Sequence, residues 1–110
     1  MWLTDIRGEV AGIRRLIKGE NAESFASNWG MKRAVQHALL IIAEAAKHIP
    51  QGFKDTQSAV PWQKIHGLGN LLRHEYRRIE PDILWSIVED HLENLDRAAA
   101  ALLGNLPEEE

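Results

Sequence analysis

The sequence predicts an all-α fold, a single-domain antiparallel bundle of four to five helices, and three observations predict it. Apolar residues recur at three- and four-residue steps through almost the whole chain. No stretch alternates with the period of two that a half-buried strand requires. Residues that start and stop helices fall between the apolar runs. The 110 residues, 45% of them hydrophobic, suit one core, because about 100–150 residues is the commonest domain size. The domain is expected over residues 1–104. An acidic C-terminal tail follows at 105–110 and ends in Glu108, Glu109 and Glu110.

Leu3, Ile6, Val10, Ile13, Leu16 and Ile17 mark one face of a first helix that stops near Lys18-Gly19. Thr4 and Asp5 suit its first turn, and Arg14, Arg15 and Lys18 its last, where each complements the helix dipole. Asn21 is placed to cap a short turn toward Phe25. A second long helix is expected from about Met31 to His48, with Val35, Ala38, Leu39, Ile42, Ala45 and Ile49 inward. Ala43, Ala45 and Ala46 are small enough to allow close helix approach. Pro50-Gln51-Gly52 ends it, and residues 50–60 read as a polar loop. Pro61 can open a third helix over about 62–77, because its missing N–H is not needed there. That helix carries Trp62, Ile65, Leu68, Leu72 and Tyr76, with Gly67 and Gly69 inside it. A last helix is expected from Glu80-Pro81-Asp82 to about Leu103, with Ile83, Ile87, Val88, Leu95, Ala99 and Leu102 inward.

Composition excludes several function classes. Zero cysteines rule out disulfides, thiolate metal sites and a Cys nucleophile. No apolar run approaches the roughly 18 residues of a membrane helix, and the start lacks a basic-then-apolar signal, so the cytosol is the expected compartment and no membrane contact is expected. Glycine-rich nucleotide cradles and the GxSxG elbow are absent. His66 and His74 are eight residues apart, about 12 Å along one helix, which is not the one-turn spacing of a helical zinc pair. No metal and no cofactor are expected. His37 and His48 read as surface residues, and His91 as a structural residue at the core boundary.

The net charge of −3 conceals an asymmetry. Residues 1–78 carry 12 Lys+Arg against 7 Asp+Glu, whereas residues 79–110 carry one Arg against nine acids. The front of the chain is suited to anions, although ordinary surface charge gives the same totals. Between Trp62 and Glu80, the residues Lys64, His66, Asn70, Arg73, His74, Tyr76, Arg77 and Arg78 share one segment. A His near neutral pKa can move a proton at pH 7. Arginines beside it can hold a phosphate and stabilise charge growing on it. RNA cleavage needs little more, because the attacking 2′-OH belongs to the substrate. The same spacing also fits a core helix with a solvated basic face.

Trp62-Gln-Lys-Ile-His-Gly-Leu-Gly-Asn70, followed by His74-Glu-Tyr76, resembles the signature of HepT-like proteins of the HEPN superfamily. Further blocks fall in family order: Asp5-Ile6, Gly19 to Phe25, Ala34-Val35-Gln36, Ile41 to Ala46 and Trp85 to Val88. The resemblance spans about residues 3–96 and implies a HEPN-like homodimer with a cleft between protomers. It also implies a toxin that is a metal-independent ribonuclease, encoded beside a minimal, ATP-using nucleotidyltransferase antitoxin. In the family motif R-x-x-x-x-H-x-Y the Arg and His act on RNA, and the antitoxin transfers AMP to the Tyr. His74 and Tyr76 occupy the His and Tyr positions, Asn70 matches the polar residue after the Arg, and Glu44 matches a supporting glutamate. Lys64, Arg77 and Arg78 are then expected to contact the RNA backbone. Ala-rich stretches and four Trp supply apolar surface for a dimer.

The motif Arg should stand at residue 69, where this chain has Gly69. A glycine costs about 1 kcal/mol against Ala inside a helix, so helix stability offers no reason for it. Two readings follow. In the first, which is the expectation here, Gly69 marks a detoxified form with weak or absent activity, since losing one charge-stabilising donor costs about 10²–10³ in rate. In the other, Arg73, four residues and roughly 6 Å further along the helix, substitutes for the missing cation. A rival from another class is a non-catalytic dimeric module that only holds its nucleotidyltransferase partner.

Overall fold

The computed structural model describes residues 1–104. Seven α-helices and one 3-10 turn make up the regular structure of that stretch, with no strand among the described residues. The all-α bundle expected from the periodicity is what forms; the predicted acidic tail at 105–110 lies outside the described residues.

Helix α1 (Trp2–Ile17) buries Leu3, Ile6, Val10 and Ile13, the stripe expected, whereas Leu16 stays exposed. It stops where Gly19 turns with φ +80, a conformation that costs glycine little. The short α2 (Ala22–Ala26) begins with a complete capping box: Asn21 and Ser24 satisfy each other's backbone N–H groups. It plants Phe25 at full burial against Trp85, ring centroids 5.3 Å apart. Helix α3 (Trp29–Lys47) starts earlier than the periodicity suggests, because the Asn28 side chain accepts from the Met31 N–H at 2.9 Å and caps the first turn.

Residues 50–60 are not simply a polar loop. They contain α4 (Gln51–Asp55), whose Lys54 is the one charged side chain buried among the described residues. The two carbonyls of Lys54 and Gln57 receive the buried Trp62 Nε1–H at 3.2 and 3.1 Å, so this short helix is pinned to the start of the next.

Helix α5 (Trp62–His74) is shorter than expected. The backbone leaves helical geometry at Glu75 (φ −141, ψ 36), and Tyr76–Arg78 form a 3-10 turn. The expected last helix is also two. Helix α6 (Pro81–Asp90) runs to His91, where φ −121 interrupts it, and α7 (Leu92–Gly104) continues. The break has a packing reason: α6 lies against α2, whereas α7 lies against α1. On α6 the inward residues are Leu84 and Val88; Ile83, expected inside, is exposed, and so is His91. Arg7 and Arg14 of α1 both reach Asp96 of α7, at 3.0 and 3.7 Å. Helix α3 is central, in contact with α1 on one side and α5 on the other. That second contact builds the candidate site.

Candidate active site

Where α5 crosses α3, the buried Gly69 faces Ala43 so closely that a Cβ at residue 69 would lie 2.8 Å from the Ala43 Cβ. Real carbon atoms settle at about 3.5–4.0 Å. Gly69 is therefore the residue that lets the two helices touch. This corrects the expectation that stability offers no reason for it: the loss in helix propensity is offset by close packing against the small residues of α3.

The backbone approach shapes a cleft of about 370 Å³ beside it, lined by Glu44 and Lys47 of α3 and by His66, Asn70 and Arg73 of α5. Arg73 follows Gly69 by one turn and lines the same cleft. Its Nη2 donates to Asn70 Oδ1 at 2.7 Å, and its guanidinium pairs with the Glu44 carboxylate. Asn70, Arg73 and Glu44 thus meet in the cleft beside the glycine. The guanidinium is held at two points and keeps further N–H donors.

His66 closes the cleft from the side. Its Nε2 lies 3.1 Å from Lys54 Nζ. An ammonium can only donate, so a hydrogen bond here requires Nε2 to accept and the imidazole proton to sit on Nδ1. Burial, then the charges of Lys54 and Lys47, push the His66 pKa below its ordinary value. Burial likewise lowers that of Lys54. Sequence reasoning missed this pair because Lys54 lies in a segment without a motif, 12 residues from its partner.

His74 is the last residue of α5 and is exposed. It lines neither this cleft nor those around Tyr76. The helix break at Glu75 sends the next residues back toward α3, so Tyr76 is not on the helix of His74 as the periodicity suggests. Gln36 Nε2 donates to the Tyr76 carbonyl at 3.3 Å and pins the turn. The Tyr76 ring is half-buried, with the Arg33 guanidinium 4.6 Å and that of Arg77 5.7 Å from its centroid. Arg78 is paired with Glu75 at 3.0 Å. Lys64 is elsewhere: nine residues before Arg73, it is half a turn out of phase. It borders an apolar cleft of about 210 Å³ with Leu39, Ile65, Leu68 and Leu95. No group of three or more His, Asp or Glu side chains suited to a metal ion occurs among the described residues.

The family follows from comparison. The model described as "Ribonuclease HepT-like" matches residues 6–102, and the chain belongs to that ribonuclease family. A relative named provisionally as an RNase in Caldanaerobacter subterraneus subsp. tengcongensis is 30% identical over 102 residues, covering 93% of this chain and 91% of that protein. Another so named, from Methanocaldococcus jannaschii, is 31% identical over 87% of this chain and 88% of its own length. The "Probable ribonuclease HepT" of Thermococcus cleftensis is 30% identical, with 86% of each chain covered. No solved structure matches.

Proposed function

We propose that this chain is the toxin of a HepT-like toxin–antitoxin pair, a metal-independent endoribonuclease in which Arg73 supplies the cation that the family carries at residue 69. The observation that supports this reading is the Arg73 guanidinium, which lines the cleft beside Gly69 and is oriented by Asn70 and Glu44. Gly69 is committed to packing, so its presence need not mean a lost activity. In the proposed reaction the RNA 2′-oxygen attacks the adjacent phosphorus and gives up its proton to a base. The P–O5′ bond breaks, the 5′-oxygen gains a proton, and a 2′,3′-cyclic phosphate remains. His74, exposed at the end of α5, exchanges those protons. Arg73 stabilises the negative charge of the phosphorane.

The test is cleavage of single-stranded RNA in the presence of a chelator. Arg73→Ala should lower the rate about 10²–10³-fold, and His74→Ala about 10²–10⁴-fold. An inert parent, or Arg73→Ala at parental rate, overturns the assignment. The second reading, a module that holds its partner without cutting, is favoured by the Glu44 pairing that neutralises Arg73. It predicts partner binding with no cleavage by any of these forms.

Tyr76 is the proposed acceptor of AMP. Its phenolic oxygen would attack the α-phosphorus of ATP held by a nucleotidyltransferase antitoxin, releasing pyrophosphate. A mass gain that needs ATP and that enzyme, and is lost in Tyr76→Phe, supports the role; a gain that survives the substitution removes it. Homodimerisation across the apolar cleft near Leu39, Leu68 and Leu95 belongs to the same reading, and sedimentation should give twice the monomer mass.

A further inference from the structure

Trp29 is the most exposed large apolar side chain among the described residues, at 69%. It is nevertheless well oriented. The Asn28 cap sets the first turn of α3, and one turn further on the Arg33 guanidinium lies 5.5 Å from the Trp29 ring centroid. The same guanidinium is 4.6 Å from the Tyr76 centroid, so it bridges two aromatic rings. Arg33 Nη1 also donates to Gln36 Oε1 at 3.2 Å, and Gln36 holds the Tyr76 carbonyl. Clefts of about 370 and 280 Å³ border this arrangement, and Trp29 lines both.

The charges are as telling as the rings. Among the described residues the five ion pairs engage Arg7, Arg14, Arg73, Arg78 and Arg97. Lys32, Arg33 and Arg77, which line the smaller cleft with Trp29 and Tyr76, have no carboxylate of the described residues within ion-pair distance. Three uncompensated cations around an exposed indole suit a ligand with a flat apolar face and an anion attached to it. A nucleotide in a single strand is such a ligand, because its base can stack and its phosphate can pair with cations. In a duplex the faces of the bases are already stacked.

We propose that Trp29 stacks one unpaired base of single-stranded RNA while Lys32 and Arg77 take the phosphates flanking it. The proposal rests on RNA being the substrate, and it adds a subsite that Tyr76 lines and His74 does not. It gives the protein a preference for unpaired RNA that neither His74 nor Arg73 supplies.

The test is anisotropy with a labelled single strand whose 2′-oxygens are methylated to prevent cleavage. Trp29→Ala should weaken binding about 5- to 150-fold, the range for loss of one stacked base, while Trp29→Phe stays within about threefold of the parent. Lys32→Ala with Arg77→Ala should flatten the salt dependence by about 1.4 in slope, two phosphates' worth. A strand with abasic sites should bind the parent as weakly as an intact strand binds Trp29→Ala, and should lose nothing further with that variant. If the parent binds RNA and Trp29→Ala binds it equally well, the subsite is wrong while the RNA reading stands. A parent that binds no RNA overturns both. Trp29→Ala should melt with the parent; if it does not, the Trp29→Phe and abasic-strand arms decide.

Discussion

Replacing Gly69 by Ala separates two opposed effects at one atom. Helix propensity alone favours the substitution by about 1 kcal/mol. The structure opposes it: the new Cβ would sit 2.8 Å from the Ala43 Cβ, roughly 1 Å inside ordinary carbon contact. Ala43 has no rotamer with which to withdraw, so the backbones of α3 and α5 must part. Overpacking of this kind costs about 1–3 kcal/mol. The expected net loss is about 1 kcal/mol, and for a domain of this size the melting temperature should fall by about 4–8 °C. Thermal and urea unfolding would measure it, together with Ala43→Gly and the double variant. Removing the Ala43 Cβ should relieve the overlap, giving a coupling of about 1–3 kcal/mol between the two positions. A Gly69→Ala chain that melts higher than the parent, or a cycle without coupling, would refute the packing account. Gly69→Arg must place the same Cβ, so it is expected to destabilise as well.

The Lys54–His66 pair makes stability depend on pH in a stated direction. His66 is held below its usual value near 6.5 by burial, Lys54 and Lys47. As pH falls, the unfolded chain therefore takes up this proton first, and stability should decline as pH drops below about 6.5. The His66→Gln variant should show a shallower decline in urea titrations between about pH 5 and 7, and in Lys54→Met the His66 ring should titrate higher by NMR. Phe25→Ala should cost about 3–5 kcal/mol in urea unfolding, because the ring is fully buried and carries the contact of α2 with Trp85 of α6. Asp96→Asn removes the partner of half-exposed Arg7 and Arg14, so the loss in urea unfolding should be small and shrink with added salt.

Much of the fold was legible because helical periodicity and capping are local. The buried stripes of α1 and α3 follow their three- and four-residue steps, and Asn21 caps where it should. Errors came where a neighbour overrides local pattern. Nothing in residues 79–104 announces a break at His91, since either half is a good helix; the break answers two different partners, α2 and α1. The same holds for Glu75, where the chain leaves α5 so that Tyr76 can meet Arg33 and Gln36.

The candidate site divides along the same line. His74, Tyr76, Asn70 and Glu44 were nameable from motif positions, and Arg73 was nameable as a substitute because helix geometry fixes its distance from residue 69. Trp29, Arg33, Lys47 and Lys54 were not, because their roles depend on which helix faces which; His66 was visible, but its partner Lys54 was not. By itself the sequence determined an all-α chain of the HepT-like family with an Arg-to-Gly departure at residue 69. Only the tertiary structure decided what that glycine is for. Propensity is a property of one helix, whereas the 2.8 Å approach to Ala43 is a property of two, set by long-range packing.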